Sequence, residues 1–404
     1  MSEGPYKLSK GWRWVRLGEI CDKPQYGYTQ SASQDPIGPK FLRITDITSG
    51  VIDWDSVPYC HADRHVLEKY RLTKGDLLFA RSGSVGSTIL IRESPPYDAI
   101  FASYLIRVRI NQYIALPEFI EIFTKSPFGQ AQLIPQGAAQ KNINAKRIQQ
   151  LLIPLPPLEE QRRIVARIEE LMSRVREARR LQEETLKDAD RLWQSVLAEV
   201  FPKPNSLLPS GWRWVRLGEV CETTSGGTPS RKKPEYFGGN IPWVKSGELN
   251  DSIIVDTEEK ITELGLKNSN AKLFPKGTLL IAMYGATVGK LGILGCSAAT
   301  NQAICALFPN KSTLDKMFLF YFFLFKRKEL MAQSFGEAQP NISQTVIRKT
   351  EIPLPPLSEQ RRIVAYLDEL QAKITALKKY QQQTTAELNL LEQATLDKAF
   401  RGEL

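Results

Sequence analysis

Apolar residues recur in alternating steps of four and three positions along the C-terminal part of the chain. The series consists of Ile363, Leu367, Leu370, Ile374, Leu377, Gln381, Thr384, Leu388 and Leu391. This spacing lines one face of a helix and is typical of the a and d positions of a coiled coil, which two polar residues interrupt here. The pattern predicts a long helix that pairs with another helix.

A second series of the same kind lies near the middle of the chain. Its members are Ile164, Ile168, Leu171, Val175 and Ala178, followed after a slip of phase by Leu181, Thr185, Leu192 and Val196. Each series follows a proline block, at residues 154–157 and 353–356, and such a block stops one element before a helix begins. We predict long helices over residues 158–201 and 357–404, each on the order of 60 Å long.

The other two regions, residues 1–157 and 202–356, contain short β-branched and aromatic runs separated by Gly and Pro. Such runs predict strands at residues 41–47, 77–80, 88–91 and 104–110. Helices are expected at residues 117–125 and 314–329, of which the apolar stretch 317–325 is too short for a membrane span. The predicted fold class is α+β, with two globular domains alternating with the two long helices.

The chain is internally duplicated. Residues 11–21 read GWRWVRLGEIC and residues 211–221 read GWRWVRLGEVC, so the two segments differ at one position. The helix starts at residues 153–171 and 352–370 are identical at 15 of 19 positions. Residues 74–78 match 276–280, and residues 137–140 match 336–339, more loosely. The repeat predicts one framework used twice, with different loops on each copy.

The positive charge lies outside the helices. The chain has a net charge of +10, yet the first helix has nine basic and ten acidic residues and the second has seven of each. The globular regions therefore carry about +5 and +6 by the same count. A cationic excess on the domains suits phosphate contact, whereas mixed-charge helices with an apolar stripe suit helix pairing and protein partners.

Other classes of protein find little support in the sequence. Five cysteines form no C-x-x-C pair, and His61 and His65 lack the glutamate of a zinc-binding helix, so no metal and no cofactor is expected. The first ten residues lack the pattern of a secretory signal, and no apolar run suits a membrane, so we expect a cytoplasmic protein.

Four recurring motifs together resemble the specificity subunit of type I restriction-modification enzymes. They are the G-W-x-W-V-x-L-G-E openings at residues 11 and 211, the K-G-x-L-L strands, the G-x-x-Q-x-N-I loops at residues 137–143 and 336–342, and the I-P-L-P-P-L-x-E-Q helix starts. The motifs recur in the same order in each half and cover essentially the whole chain.

The resemblance implies a role and partners. Each globular region would be a target recognition domain that reads one half of an asymmetric, two-part site on double-stranded DNA. The helices would pair antiparallel, fix the separation of the domains and bind two methyltransferase subunits, and motor and nuclease subunits would join for restriction. The chain itself would not be an enzyme.

Loops that differ between the two halves, next to segments that match, are the places where the two domains can recognise different DNA sequences. In the first domain the candidate contacts are Arg43, Thr45, Arg81, Ser82, Ser84, Ser87, Gln140, Lys141, Asn142, Asn144, Lys146 and Arg147. In the second domain they are Lys245, Ser246, Tyr284, Thr287, Lys290, Gln339, Asn341, Gln344 and Arg348. Arginine suits guanine, and Gln or Asn suits adenine, but helix capping, turn formation and phosphate contact are the alternatives for each residue.

Two further sets of matched residues have structural alternatives. The tryptophans Trp12, Trp14, Trp212 and Trp214 are the same in both halves, which favours core packing over base stacking. The Gln-Arg-Arg triplets at residues 161–163 and 360–362 suit either a structural cap or a partner-docking face.

Two motifs suggest catalysis, and neither is supported by its surroundings. Residues 94–97, Ser-Pro-Pro-Tyr, resemble the catalytic tetrapeptide of amino-methyltransferases, but no strand with a Gly-rich turn is present to hold the cofactor. Residues 285–290 resemble a phosphate-binding loop that is one residue short, with Leu291 in place of the Ser or Thr. The alternative functions are a coiled-coil interaction scaffold and, behind it, a stand-alone DNA methyltransferase.

Overall fold

The computed structural model describes residues 4–134, 142–203, 206–334 and 341–404. The chain folds into two compact units. Unit 1 comprises Met1–Gln182 and Gln382–Leu404, and unit 2 comprises Glu183–Gln381. Each unit therefore contains a globular part together with one end of each long helix.

The elements of the first half are numbered in chain order. They are β1 (Arg13–Arg16), β2 (Gln25–Tyr26), β3 (Lys40–Leu42), α1 (Arg64–Tyr70), β4 (Asp76–Ala80), β5 (Thr88–Leu90), β6 (Ala99–Phe101), β7 (Leu105–Arg109), α2 (Pro117–Lys125), α3 (Pro127–Leu133), α4 (Ala145–Gln149), β8 (Leu152–Leu155) and the long helix α5 (Leu158–Val200).

The second half continues the numbering. Its elements are β9 (Arg213–Arg216), α6 (Leu217–Val220), β10 (Cys221–Ser225), β11 (Phe237–Val244), β12 (Ser252–Ile254), β13 (Glu259–Ile261), α7 (Glu263–Lys267), β14 (Leu273–Phe274), β15 (Leu279–Ala282), β16 (Leu291–Leu294), β17 (Ala298–Thr300), β18 (Ile304–Pro309), α8 (Lys316–Ser334), α9 (Gln344–Lys349), β19 (Glu351–Leu354) and the long helix α10 (Leu357–Arg401). The α+β class with two long helices is confirmed.

The same sheet plan recurs in both units. In unit 1, β2, β7, β4 and β5 form one sheet in that order, β3 pairs parallel with β6, and β1 pairs antiparallel with β8. In unit 2 the corresponding sheets have the orders β10-β18-β15-β16-β12 and β13-β11-β17-β14, and β9 pairs with β19. The matched opening motif forms β1 and β9, and the partner strands β8 and β19 run into the proline block before each long helix.

One predicted strand is shorter than expected. The strand predicted at residues 41–47 ends at Leu42, and Ile44–Asp46 form a 3-10 helix. The cause is local, because the Asp46 carboxylate accepts the backbone N–H of Arg43 at 2.7 Å and so turns the chain. The predicted helix at residues 117–125 is confirmed as α2, and the one at 314–329 corresponds to α8.

The core of unit 1 is completed by the end of α10. Phe400 is 1% exposed and its ring packs edge-on against Phe119 and Phe123, with centroid distances of 5.2 Å to each. The beginning of α5 contributes Ile164 and Ile168 to the same cluster. Burying a phenylalanine of this kind typically stabilises a fold by about 3 kcal/mol or more.

The core of unit 2 is completed in the same way by the end of α5. Phe201 follows the last residue of that helix, is fully buried, and packs against Phe318, Phe322 and Phe325 of α8. The beginning of α10 supplies Leu367. Each globular core is therefore completed by the start of one long helix and the end of the other.

The long helices run antiparallel in unit 1. Arg179 donates to Glu392 at 2.8 Å, and Gln182 donates through Nε2 to the hydroxyl of Thr385 at 2.7 Å. Residue numbers therefore rise along one helix as they fall along the other. In unit 2, helices α5 and α10 are joined by an ion pair between Lys378 and Asp190 at 2.7 Å.

The phase slip predicted for α5 is wrong. Leu181 and Leu192 are 50% and 53% exposed, whereas Gln182 and Ala189 are buried. The three-four step therefore continues through Gln182 to Ala189 without a slip at Leu181, although the next residue in step, Leu192, is exposed. Gln182 is tolerated in the seam because its amide has a hydroxyl partner. In α10, Leu391 is likewise 54% exposed and lies off the seam.

A buried glutamine joins each long helix to the globular part of its unit. In unit 1, Gln161 Oε1 accepts from the backbone of Leu116 at 2.8 Å, and Nε2 donates to the carbonyls of Ile114 and Pro156. Both Gln161 and its counterpart Gln360 are fully buried. The structural alternative for these two glutamines of the Gln-Arg-Arg triplets is the one that the structure supports.

In unit 2, Gln360 joins α10 to the globular part in the same way. Gln360 Oε1 accepts from Asp315 N at 2.8 Å, and Nε2 donates at 2.8 Å to the carbonyls of Thr313 and Pro355. Neighbouring Arg362 is exposed and pairs with Glu359 on its own helix. The amide thus satisfies three backbone groups where α10 begins.

We expect the Gln360→Leu substitution to lower the free energy of unfolding of unit 2 by about 2–4 kcal/mol, because three backbone groups, one buried and two partly buried, would lose their partner. Chemical denaturation followed by tryptophan fluorescence measures the change. The matched control is Arg361→Gln, an exposed position in the same helical turn, for which we expect a change within about 0.5 kcal/mol. An equally small effect of Gln360→Leu would contradict this stabilising role of Gln360.

Candidate nucleic-acid interface

Three chain segments carry the candidate contacts of unit 1, and each follows a framework strand or precedes a framework helix. Residues 43–46 follow β3, residues 81–87 join β4 to β5, and residues 142–147 lead into α4. Gln140 and Lys141, and Gln339 of the second half, lie outside the described residues. Strands therefore position the start of the first two segments and helix α4 positions the third, while the side chains of the segments differ between the two halves.

Backbone hydrogen bonds bring these segments together. Ile143 N donates to the carbonyl of Arg81 at 2.9 Å, and Arg81 N donates to the carbonyl of Tyr104 at 3.0 Å. At the end of β3, Leu42 accepts from Ala102 N at 2.9 Å. Two of the segments are therefore bonded to the turn between β6 and β7, and the third is bonded to Arg81 beside it.

Tyr26, which the sequence comparison did not select, lies between two of the segments. The guanidinium carbon of Arg81 is 5.1 Å from the centroid of the Tyr26 ring, and the Tyr26 hydroxyl accepts from Ala145 N at 3.1 Å. A cation on an aromatic face has a restricted set of orientations. Tyr26 therefore holds Arg81 beside the segment that begins α4.

Unit 2 repeats this framework with other side chains. Ile342 N donates to Met283 O at 2.9 Å, Met283 N donates to Ala303 O at 2.8 Å, and Asn301 N donates to Val244 O at 2.9 Å. These bonds correspond one by one to those of unit 1. The framework is thus common to both halves at the level of individual backbone groups.

A short antiparallel bridge in unit 2 connects two of its candidate residues, Tyr284 and Asn341. Thr287 lies in the same loop as Tyr284 and donates its hydroxyl to the carbonyl of that residue at 2.9 Å. Both segments of unit 2 therefore reach the same place as their unit 1 counterparts.

The cations after β3 and β11 are already engaged by carboxylates. Arg43 binds Asp46 with two side-chain hydrogen bonds of 3.1 and 2.8 Å, and these bonds raise the pKa of the arginine. Lys245 Nζ donates to Glu258 at 2.8 Å and to Glu259 at 3.2 Å, and the same hydrogen bonds raise its pKa. A phosphate would have to compete with these carboxylates.

Several candidates have structural roles near the helix starts. Asn144 caps α4 by accepting from Arg147 N at 2.9 Å, and Arg147 Nε donates to the carbonyl of Gln132 at 3.0 Å. In unit 2, Gln344 donates to the hydroxyl of Thr223 at 2.8 Å. These are the capping and turn alternatives that the sequence left open.

The other candidates divide by exposure. Thr45, Asn142, Lys146, Asn341 and Arg348 are exposed, and Ser82, Ser84, Ser87, Ser246, Thr287 and Lys290 are half-buried. Exposed polar side chains around a shared turn can meet both the phosphates and the base edges of a DNA groove. The two units therefore present different polar surfaces on one framework.

A basic run in unit 2 was also missed by the internal comparison. Arg231, Lys232 and Lys233 are exposed, and the guanidinium of Arg231 lies 4.4 Å from the centroid of the Phe237 ring. The run has no basic counterpart in unit 1, so a search for matched segments passes over it. Its charge density on its own could have indicated a phosphate contact.

The two motifs that suggested catalysis are surface turns. The Tyr97 hydroxyl of Ser-Pro-Pro-Tyr donates to Asp55 at 2.8 Å, and the amine of Lys40 lies 5.3 Å from its ring centroid. Residues Gly285–Thr287 form a 3-10 helix between two strands, not the helix start that a phosphate-binding loop requires. His61 and His65 are exposed.

Three of the four matched tryptophans, Trp12, Trp14 and Trp212, pack as the sequence predicts. Trp14 lies edge-on to Tyr6 and Phe128, with centroid distances of 4.9 and 5.8 Å, and Trp12 and Trp212 pack against the cores of their units. In the part of the chain that the structure describes, no three His, Cys, Asp or Glu side chains are grouped to hold a metal. None of the described helices combines the length and apolarity of a bilayer crossing.

Comparisons with known proteins agree with this fold. A solved chain from work on the structural basis of complex assembly and conformational transition of the type I R-M system has a TM-score of 0.80 and 36% identity, over 99% of this chain and 100% of that one. The HsdS subunit from Thermoanaerobacter tengcongensis has a TM-score of 0.63 and 35% identity over the full length of both chains.

Curated relatives are similar over different lengths. The type I restriction enzyme EcoKI specificity subunit of Escherichia coli K12 is 30% identical over 51% of this chain, and the match spans about half of that subunit, 47%. The StySPI specificity subunit of Salmonella potsdam is 25% identical over 98% of this chain and 90% of its own length.

A family model supplies the assignment. The model described as the type I restriction modification DNA specificity domain matches residues 9–184 and 209–388, once in each half. The two matches cover most of the chain and coincide with the duplicated framework. The chain therefore belongs to the family of type I restriction-modification DNA specificity proteins.

Proposed function

We propose that this chain selects the DNA sequence on which a restriction-modification assembly acts. The observation that carries the proposal is the repeated framework, in which equivalent backbone hydrogen bonds present different exposed side chains around the same turn in each unit. Two unlike surfaces suit a site whose two halves differ. Each unit would read one half-site on double-stranded DNA.

The segments that carry charge and polarity support this division of labour. Lys146 in unit 1 and Arg348 in unit 2 are exposed and suit phosphates, which fix the position of a protein on DNA. Arg81, held over Tyr26, suits a base edge, because a guanidinium can donate two hydrogen bonds to guanine. The globular regions 1–157 and 202–356 would thus be the target recognition domains.

The long helices suit protein partners. In unit 2, Leu192 and Tyr366 are 53% and 50% exposed, and in unit 1, Leu390 is 70% exposed. Apolar side chains left on otherwise charged helices favour a protein-binding face. We propose that two methyltransferase subunits bind there and perform catalysis, that the chain itself is not an enzyme, and that motor and nuclease subunits join in the cytoplasm.

The central test is selection from a random DNA duplex library. The full chain, tagged and isolated with the subunits that accompany it, should enrich an asymmetric two-part sequence, and binding should weaken steeply with added salt. A coiled-coil scaffold would enrich no DNA sequence. Methyl transfer by the chain without any other subunit would instead establish the enzyme alternative.

We expect Arg81→Ala to relax base preference in one half-site only, with binding weakened by about 1–3 kcal/mol. The reason is that Arg81 belongs to the surface of unit 1, whereas unit 2 retains its own side chains. The measurement is the library selection repeated with the variant. Equal loss of preference in both half-sites would contradict separate reading.

Lys146→Gln provides a contrasting variant in the same unit. A phosphate contact carries no base information, so we expect binding to weaken for every sequence and the slope of log affinity against log salt to fall by about one. Titration of the selected duplex at several salt concentrations measures the slope. A change in base preference would show that Lys146 lies in a groove and not on the backbone.

We expect helix length to set the interval between the half-sites. Seven residues inserted into both α5 and α10, within the paired region, keep the seam in phase and add about 10 Å of helix, close to three base pairs of DNA. Library selection should then return the same half-sites with a longer spacer. An unchanged spacer, with the insertions folded, would refute this role of the helices.

A further inference from the structure

The shared framework allows residues of the two units to be matched even where their sequences do not align. Arg81 N donates to Tyr104 O in unit 1, and Met283 N donates to Ala303 O in unit 2, so Tyr104 and Ala303 occupy one structural position. Tyr104 is 61% exposed, whereas Ala303 is 8% exposed. The β6–β7 turn of unit 1 thus carries an aromatic side chain, and the equivalent turn of unit 2, residues 301–303, does not.

A second pair of hydrogen bonds matches the loop that faces this turn. Tyr28 N donates to Phe101 O, and Gly227 N donates to Thr300 O, both at 2.9 Å. Tyr28 and Gly227 therefore occupy one structural position, beside the end of β6 in unit 1 and of β17 in unit 2. The loops that follow them begin at equivalent places in the two units. These loop residues were not among the sequence candidates.

In unit 1 the turn and the loop border one cleft. The cleft has a volume of about 590 Å³ and is lined by Gln30, Thr45 and Tyr104, among others. The Gln30 side chain is exposed, and its Oε1 accepts from Ser31 N at 3.0 Å. Its amide is therefore held with Nε2 as a donor at the rim of the cleft.

In unit 2 the exposed glutamine lies in the turn and not in the facing loop. Gln302, in the turn between β17 and β18, is exposed, and its Oε1 accepts a hydrogen bond from the hydroxyl of Thr228 in the facing loop. The amide is thus oriented by a neighbour, and Oε1 keeps a second lone pair. An amide in this state can accept from adenine N6 and donate to adenine N7 at the same time.

We propose that base preference is also determined at this turn and its facing loop, by Tyr104 and Gln30 in unit 1 and by Gln302 in unit 2. Gln302 reads an adenine in the major groove, and Thr228 is a positioning residue that orients its amide. Tyr104 supplies an apolar ring for a thymine methyl group. The inference rests on the proposed function, and it adds residues that the three sequence-derived segments do not contain.

Library selection with the full chain and its accompanying subunits tests the assignment. Gln302→Ala should lower discrimination for adenine at one position by about 10-fold to 100-fold, with the half-site of unit 1 unchanged. Tyr104→Ala should lower discrimination for thymine at one position of the other half-site. Because each variant keeps one half-site, the unaffected half reports that the protein is folded.

Gln302→Glu sharpens the test, because a carboxylate accepts from cytosine N4 and cannot donate to adenine N7. We expect the preferred base at that position to shift from adenine towards cytosine. A structural role of Gln302 would weaken binding without changing the preferred base.

Thr228 is tested as a matched pair. Thr228→Val keeps the shape and removes the hydroxyl donor, so discrimination at the Gln302 position should fall by about 10-fold, and Thr228→Ser should restore it. Equal effects of valine and serine would overturn the positioning role.

The outcomes separate the two levels of the argument. If the unaltered chain enriches a two-part site and Gln302→Ala and Tyr104→Ala retain every base preference, the assignment at the turn is wrong and the proposed function stands. If the unaltered chain enriches no DNA sequence, the proposed function itself fails.

Discussion

The buried glutamine at the first turn of each long helix is the interaction on which the arrangement of each unit depends. Gln161 and Gln360 each satisfy three backbone groups, two of them on the segment that leads into the globular helix α2 or α8. A helix fixed only by apolar contacts could pivot about its start. The amide removes that freedom, so the globular part of each unit has a defined orientation relative to the long helix that begins in it.

The main-chain atoms of the framework are arranged alike in the two units, whereas the side chains that they position differ. The backbone groups that join β3, the β6–β7 turn and the loop after β4 recur in unit 2 bond for bond. The side chains at those positions do not recur, as Tyr104 and Ala303 illustrate. Hydrogen bonds between main-chain atoms are indifferent to side-chain identity, so the framework tolerates new side chains without loss of its own stability.

Local signals allowed much of the fold to be predicted from the sequence. Proline blocks mark the helix starts to within a residue, and a three-four apolar step gives the paired helices. The predicted slip at Leu181 was wrong, because a leucine on the surface outweighed the buried Gln182 in a count of apolar residues. Tyr26 and Thr228 escaped prediction since their roles depend on partners distant in the chain, Ala145 and Gln302.

The burial of Phe201 and Phe400 also restricts how the chain can change. Each ring sits at the far end of a long helix, in a pocket formed by the globular part of its unit. Loss of a single residue from the part of the helix that lies in the same unit as the ring would turn the ring by about 100° about the helix axis and out of that pocket. The only changes in helix length that this packing allows are those that return the ring to its pocket. The long helices of related chains should therefore fall into discrete length classes and not along a continuum.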